Sequence, residues 1–165
     1  MMARSADELT LASLHARLRK LEDLEEIRDL RRRYHWFIND GLFERMAAIY
    51  TEDGIVDMGP LVRVQGTQAI VDFYLSVPRN VDFVIQYIHN HIVEIDGDEA
   101  TGLSYFDARY AQDGESVIVA AKLDEGYRRT ADGWRIAETL VHIYFGVPVT
   151  KGWANAMPNS LKPLR

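Results

Sequence analysis

The stretch most able to do chemistry is His89-Asn90-His91-Ile92-Val93-Glu94-Ile95. On an extended strand side chains alternate, so His89, His91, Val93 and Ile95 share a face. An imidazole there either finds partners at the wet end of the strand or enters a pocket as a proton-transfer group. The next run, Thr101 to Tyr110, carries Tyr105 and Asp107 on one side. If that side meets His89, Asp107 orients the ring or stabilises its protonated form, and Tyr105 binds a substrate oxygen. Asp107 has an equal alternative in pairing with Arg109 at a sheet edge, and strand register decides between them. His142 shares a nominal face with Leu140 and Tyr144 and is a second pocket candidate. Trp134 and Ile136 have the same parity and mark an apolar chamber, where packing is favoured over direct substrate stacking.

Tyr34 can donate to a substrate oxygen, and Asn39-Asp40 follows just over one helical turn later. Asp40 either polarises His89 or, more simply, caps a helix. His89-x-His91 with Asp107 or His142 would supply nitrogen and oxygen metal ligands, but two histidines set no coordination geometry, and neither a metal nor another cofactor is expected. The chain has no cysteine, which removes thiolate nucleophiles, disulfide redox work and Cys-ligated zinc. No P-loop, Rossmann glycine fingerprint or G-x-S-x-G elbow is present.

The elements that must position these groups fit one domain. The 165 residues are enough to bury a core without staples. With 25 acidic against 19 basic residues the net charge is −6, so Arg31-Arg32-Arg33 is a short positive face and no nucleic-acid partner is expected. Charges throughout the first twenty residues argue against a secretory signal, and no segment is apolar enough to span a membrane, so a cytoplasmic domain is the expectation. Leu11, Leu14, Leu18 and Leu21, continued by Leu24, Ile27, Leu30, Tyr34 and Phe37, predict one long helix with Thr10 as N-cap. Its first part, residues 1–23, is read as an extension that packs back or joins a homodimer or homotrimer. Asn39-Asp40-Gly41 interrupts it before a short helix from Leu42 to Tyr50 that Asp40 can cap. Thr51-Glu52-Asp53-Gly54 reads as a turn, Ile55 to Met58 as a small strand, and Gly66 to Pro78 as another helix. From Val84 onward the period changes to that of strands, punctuated by Asp96-Gly97-Asp98, Gln112-Asp113-Gly114 and Thr130-Ala131-Asp132-Gly133. Helices followed by an antiparallel sheet give an α+β class, with a domain over 24–149 and a tail over 150–165.

Five segments carry a family resemblance: Ile27 to Tyr34, Phe43 to Asp53, Gly66 to Ile70, His89 to Ala100, and Tyr127 to Ile136. In this order they resemble SnoaL-like domains of the NTF2-like superfamily. The resemblance implies a cone in which helices and a curved sheet enclose an apolar pocket. It is nearest to the bile-acid 7-alpha-dehydratase branch, with broader likeness to scytalone dehydratase and dehydrochlorinase-like members. By that likeness Tyr34 is the substrate-facing tyrosine, His89 the catalytic histidine, and His142 a polar pocket position. Asn39 stands where the pattern has Asp, with Asp40 displaced by one, and Asp107 falls beside the expected acid position at Ala108. The implied function is a cofactor-independent lyase, a dehydratase, acting on a hydrophobic cyclic or polycyclic oxygenated molecule. His89 would take the proton, Asp40 or Asp107 would orient it, and Tyr34 and His142 would assist, with Asn39, Met58, Tyr105, Leu140 and Tyr144 around the substrate. A steroid or polyketide isomerase or cyclase is the neighbouring alternative. A noncatalytic dioxygenase beta subunit or ligand-binding scaffold is the alternative from another class.

Overall fold

The structure, a computed structural model, describes residues 10–154; most of the expected tail therefore lies outside the described residues. Helix α1 runs unbroken from Leu11 to Asn39, starting at a reciprocal cap in which Thr10 Oγ1 accepts from Ser13 N–H and Ser13 Oγ accepts from Thr10 N–H, both at 3.1 Å. Leu11, Leu14, Leu18 and Leu21 are exposed, and burial begins at Asp23. That carboxylate accepts two 2.7 Å bonds from Arg129 and a 3.1 Å bond from Trp134 Nε1. The bidentate pair fixes the helix to the sheet, and Arg129 holds the Asp23 carboxyl below its ordinary range. Beyond it Ile27, Leu30, Phe37 and Ile38 enter the core.

Two sequence expectations need correction after α1. The short helix forms, as the 3-10 helix Phe43–Ala48, but Asp40 does not cap it: Asp40 closes α1, and Leu42 precedes the 3-10 turn with no side-chain cap. Thr51 to Gly54 is not a turn but part of strand β1, Tyr50–Asp57. Its pairing register shifts between Tyr50 and Ile55, so a polar run survives inside a strand because it is the irregular part. Strand β2 (Arg63–Gln65) and helix α2 (Thr67–Asn80) follow, and α2 continues two residues past Pro78. The long strands are β3 (Phe83–Asp96), β4 (Glu99–Gln112), β5 (Glu115–Thr130) and β6 (Gly133–Pro148). They turn at Gly97, Asp113-Gly114 and Gly133, all with positive φ, as the turn chemistry predicts.

One six-stranded sheet has the order β2-β1-β6-β5-β4-β3, with only β1 and β6 parallel. The helices pack on one face of it, around Met46, Ile49, Val56, Ile70, Trp134 and Ile136. This is the expected α+β cone. No helix among the described residues is long and apolar enough to cross a membrane.

Three irregularities decide which side chains face the helices. The β3–β4 register skips His89, passing from Ile88↔Phe106 to Asn90↔Tyr105. The β5–β6 register skips Ala137, from Gly126↔Glu138 to Tyr127↔Ile136, and skips Tyr144 farther on. An extra residue in a strand inverts the side-chain parity beyond it.

Candidate functional site

Between α1 and the inner face of the sheet lies a cavity of about 160 Å³. Val84, Phe106, Ala108, Val119, Leu123 and Val141 supply most of its apolar wall, and among the described residues only Ile143 is both lining and exposed. Tyr34 and Met58, both expected at a substrate site, line it. The Tyr34 hydroxyl is engaged with that of Tyr74 at 2.8 Å. Three further polar side chains reach the cavity: His35, Gln86 and Tyr110.

His35 is 6% exposed, and neither ring nitrogen has a hydrogen-bond partner. Burial pushes its pKa down to about 3, and the neighbouring Arg31 charge pushes the same way. The Gln86 side chain opposes the drop but forms no well-directed bond with the ring, and Gln86 Oε1 is itself unpartnered. The ring is therefore neutral at physiological pH, with one N–H donor and one nitrogen acceptor unused. Gln86 is held in place through its backbone. Asn39 Nδ2 donates to Gln86 C=O at 2.9 Å, and Asn39 Oδ1 accepts from Gln86 N–H at 2.7 Å. Asn39 thus caps the open edge of β3 as a neighbouring strand would, which spends its polar atoms on positioning.

The remaining residues expected at the site lie elsewhere. His89, skipped by the β3 register, pairs with Asp107 at 3.1 Å on the outer face of the sheet, its side chain 54% exposed. The expected His–Asp contact forms, but on the opposite face from Tyr34. Tyr105 stacks on Tyr144, with ring centroids 6.4 Å apart, on that same outer face. His142 pairs there with Asp124 at 2.8 Å, and Leu140 shares its side of β6. Trp134 and Ile136 do face the core, but the skip at Ala137 separates their parity from that of Leu140 and His142. Asp40 is exposed and accepts a 2.7 Å bond from Trp36 Nε1. No group of three or more His, Asp or Glu side chains that could hold a metal ion occurs among the described residues.

Sequence comparison places this geometry in a family: the SnoaL-like domain profile matches residues 19–139. The chain belongs to the SnoaL-like domain family. An uncharacterized protein of Mycobacterium tuberculosis is 27% identical over 121 residues, covering 71% of this chain and 82% of the relative. An NTF2-like protein with a cystatin-like fold from Novosphingobium aromaticivorans is 26% identical, with a TM-score of 0.70 over 82% of this chain and 91% of its own. The fold is shared with a hexachlorocyclohexane dehydrochlorinase of Novosphingobium barchaimii (TM-score 0.75, 18% identity, 88% and 99% coverage). It is also shared with a candidate scytalone dehydratase of Novosphingobium aromaticivorans (TM-score 0.73, 15% identity, 87% and 97% coverage).

A second buried polar cluster in this SnoaL-like domain borders the cavity. Arg31, 1% exposed, forms an ion pair with the fully enclosed Glu125 side chain, and its guanidinium lies 4.4 Å from the Tyr34 ring centroid. Tyr127 donates its hydroxyl to Glu125 Oε2 at 2.9 Å and meets His91 Nε2 at 3.0 Å. Burial drives the Tyr127 pKa up to about 12 and that of His91 down to about 4, with the Arg31 and Arg28 charges adding to the fall at His91. Gly102 makes room for this pair, since a Cβ there would stand 2.8 Å from Tyr127 Cε2. The cluster cross-links α1 to β3 and β5 beside Tyr34.

Larger depressions of about 610 and 790 Å³ are grooves lined by Asp53 and Arg128, which pair with each other at 3.0 Å. Glu94, Asp96 and Glu99 in the first groove are exposed to solvent, whereas the small cavity is lined by residues that carry buried, unpartnered polar atoms, so the small cavity is the better site. Sequence reasoning missed His35 and Gln86. Ile27, Arg31, His35 and Ile38 follow the helical spacing of the buried face of α1, so a polar residue on that stripe was the available signal for His35.

Proposed function

We propose that this SnoaL-like domain is a cofactor-independent lyase of the dehydratase type, acting on a small hydrophobic oxygenated molecule held in the cavity beneath α1. The observation carrying this reading is the buried, unpartnered His35 imidazole facing an apolar cavity. Leaving a buried polar group unpaired costs about 1–3 kcal/mol, a cost that an oxygenated ligand relieves. Two proteins sharing the fold carry names that denote elimination reactions, which agrees with this assignment.

With a β-hydroxy ketone, the free ring nitrogen of His35 takes the proton from the carbon beside the carbonyl. That electron pair becomes the new C=C bond as the C–O bond breaks, and the imidazolium returns its proton to the departing hydroxide, giving water. The Tyr110 hydroxyl is the donor available to the carbonyl oxygen as enolate character develops. Burial makes a lone imidazolium costly, but here it forms opposite the negative charge it creates, in a low-dielectric site where that attraction is strong. Isomerisation or cyclisation would begin with the same proton transfer. Turnover is read from the absorbance of the conjugated enone. His35→Leu should lower it by about 100-fold or more while His89→Ala leaves it unchanged. The reverse pattern, full turnover in His35→Leu and none in His89→Ala, would return the chemistry to the outer-face His89–Asp107 pair.

The absence of any carboxylate lining the cavity among the described residues favours, as a second reading, a domain that binds its ligand without turnover. Saturable binding with no His35-dependent reaction, and co-purification with a larger subunit, would select it.

A further inference from the structure

The cavity's size, polarity and charge together restrict what it can hold. Its volume is about 160 Å³, and an engineered apolar cavity of roughly 150 Å³ holds one benzene. A single six-membered ring therefore fills it, and two fused rings exceed it. Among the described residues none that lines it is Asp, Glu, Lys or Arg, and the buried cation Arg31 is committed to Glu125. A carboxylate or phosphate would enter with no counter-charge, which is prohibitive in such a site. The wall is not indifferent to polarity, however. Gln86 Oε1 is an acceptor without a donor, and His35 offers one donor and one acceptor. One hydroxyl satisfies both, donating to Gln86 Oε1 and accepting from the imidazole N–H.

We propose that the cavity takes one neutral six-membered ring bearing a hydroxyl, and that Gln86 is the specificity residue that reads the hydroxyl proton alongside His35. This rests on the cavity being the ligand site and is independent of whether turnover follows. It narrows the polycyclic alternative, because a steroid-sized frame has no room beside Phe106, Leu123 and Val141.

The test is calorimetric binding to the full chain of phenol, toluene, benzoate and 2-naphthol. Phenol should bind one per chain, toluene about 10-fold more weakly through the lost hydrogen bond, and benzoate and 2-naphthol not measurably at neutral pH. Gln86→Leu should weaken phenol by about 10-fold and leave toluene within about 3-fold. Gln86→Met is the second variant should the branched side chain disturb β3, and Val141→Trp, which fills the cavity, should abolish both ligands. Benzoate or 2-naphthol binding as tightly as phenol, equal losses of phenol and toluene in both Gln86 variants, or phenol binding that survives Val141→Trp would each overturn the proposal. Phenol bound as described with no His35-dependent reaction would refute the lyase reading alone. His35-dependent turnover of a fused-ring substrate would refute the ring-size limit and leave the lyase reading standing.

Discussion

Replacing His35 by Leu should make the fold markedly less sensitive to acid. In the folded chain the His35 pKa is pushed down to about 3 from 6.5. Between those values the unfolded chain binds a proton that the folded chain refuses, so stability rises with pH across the window and is lost as pH falls through it. Each pH unit inside the window is worth about 1.4 kcal/mol. Moving from about pH 7 to about pH 4.5 therefore costs the native protein about 2.5 kcal/mol through His35 alone. His91, with its pKa near 4, makes a similar contribution, but it is present in both proteins and cancels in the comparison. The assay is urea unfolding of native protein and His35→Leu at both pH values. A urea dependence of about 1–3 kcal/mol/M makes the excess loss in the native protein roughly 0.8–2.5 M in midpoint. The ring carbon resonance of His35 supplies a direct check and should show no titration near pH 6.5. Equal midpoint losses in the two proteins, or a His35 resonance titrating at its ordinary value, would refute the claim that this imidazole is held neutral by burial.

Two further outcomes follow from the same packing. Gly102→Ala would place a methyl 2.8 Å from the Tyr127 ring and 3.0 Å from His91 Nε2, an overpacking that should cost about 1–3 kcal/mol in urea; a change under about 0.5 kcal/mol would show that the pair yields freely. Asn39→Ala removes both bonds to the Gln86 peptide, so it should destabilise by about 2 kcal/mol and raise amide exchange at Gln86 most. Exchange unchanged at Gln86 would mean that the β3 edge is held some other way.

The long helix, its Thr10 cap, the hairpins at Gly97, Asp113-Gly114 and Gly133, and the α+β order were all readable because each is written in local chemistry: apolar spacing, a capping hydroxyl, residues tolerant of positive φ. What could not be read was parity after a bulge. His89 and His91 look like neighbours on one face, yet the register skips His89, turning it outward to Asp107 while His91 turns inward to Tyr127. The skip at Ala137 does the same to Leu140 and His142 relative to Trp134 and Ile136. A bulge is selected by how strands must bend around the helices, which is a property of the assembled sheet with no fixed residue signature. The helix has no such ambiguity. Its 3.6-residue period is rigid over many turns, so the face that buries Ile27, Arg31 and Tyr34 also buries His35. The dependable clue to the candidate cavity was thus a polar residue breaking the apolar stripe of α1, where parity cannot slip, rather than the pair of histidines on β3, where it does.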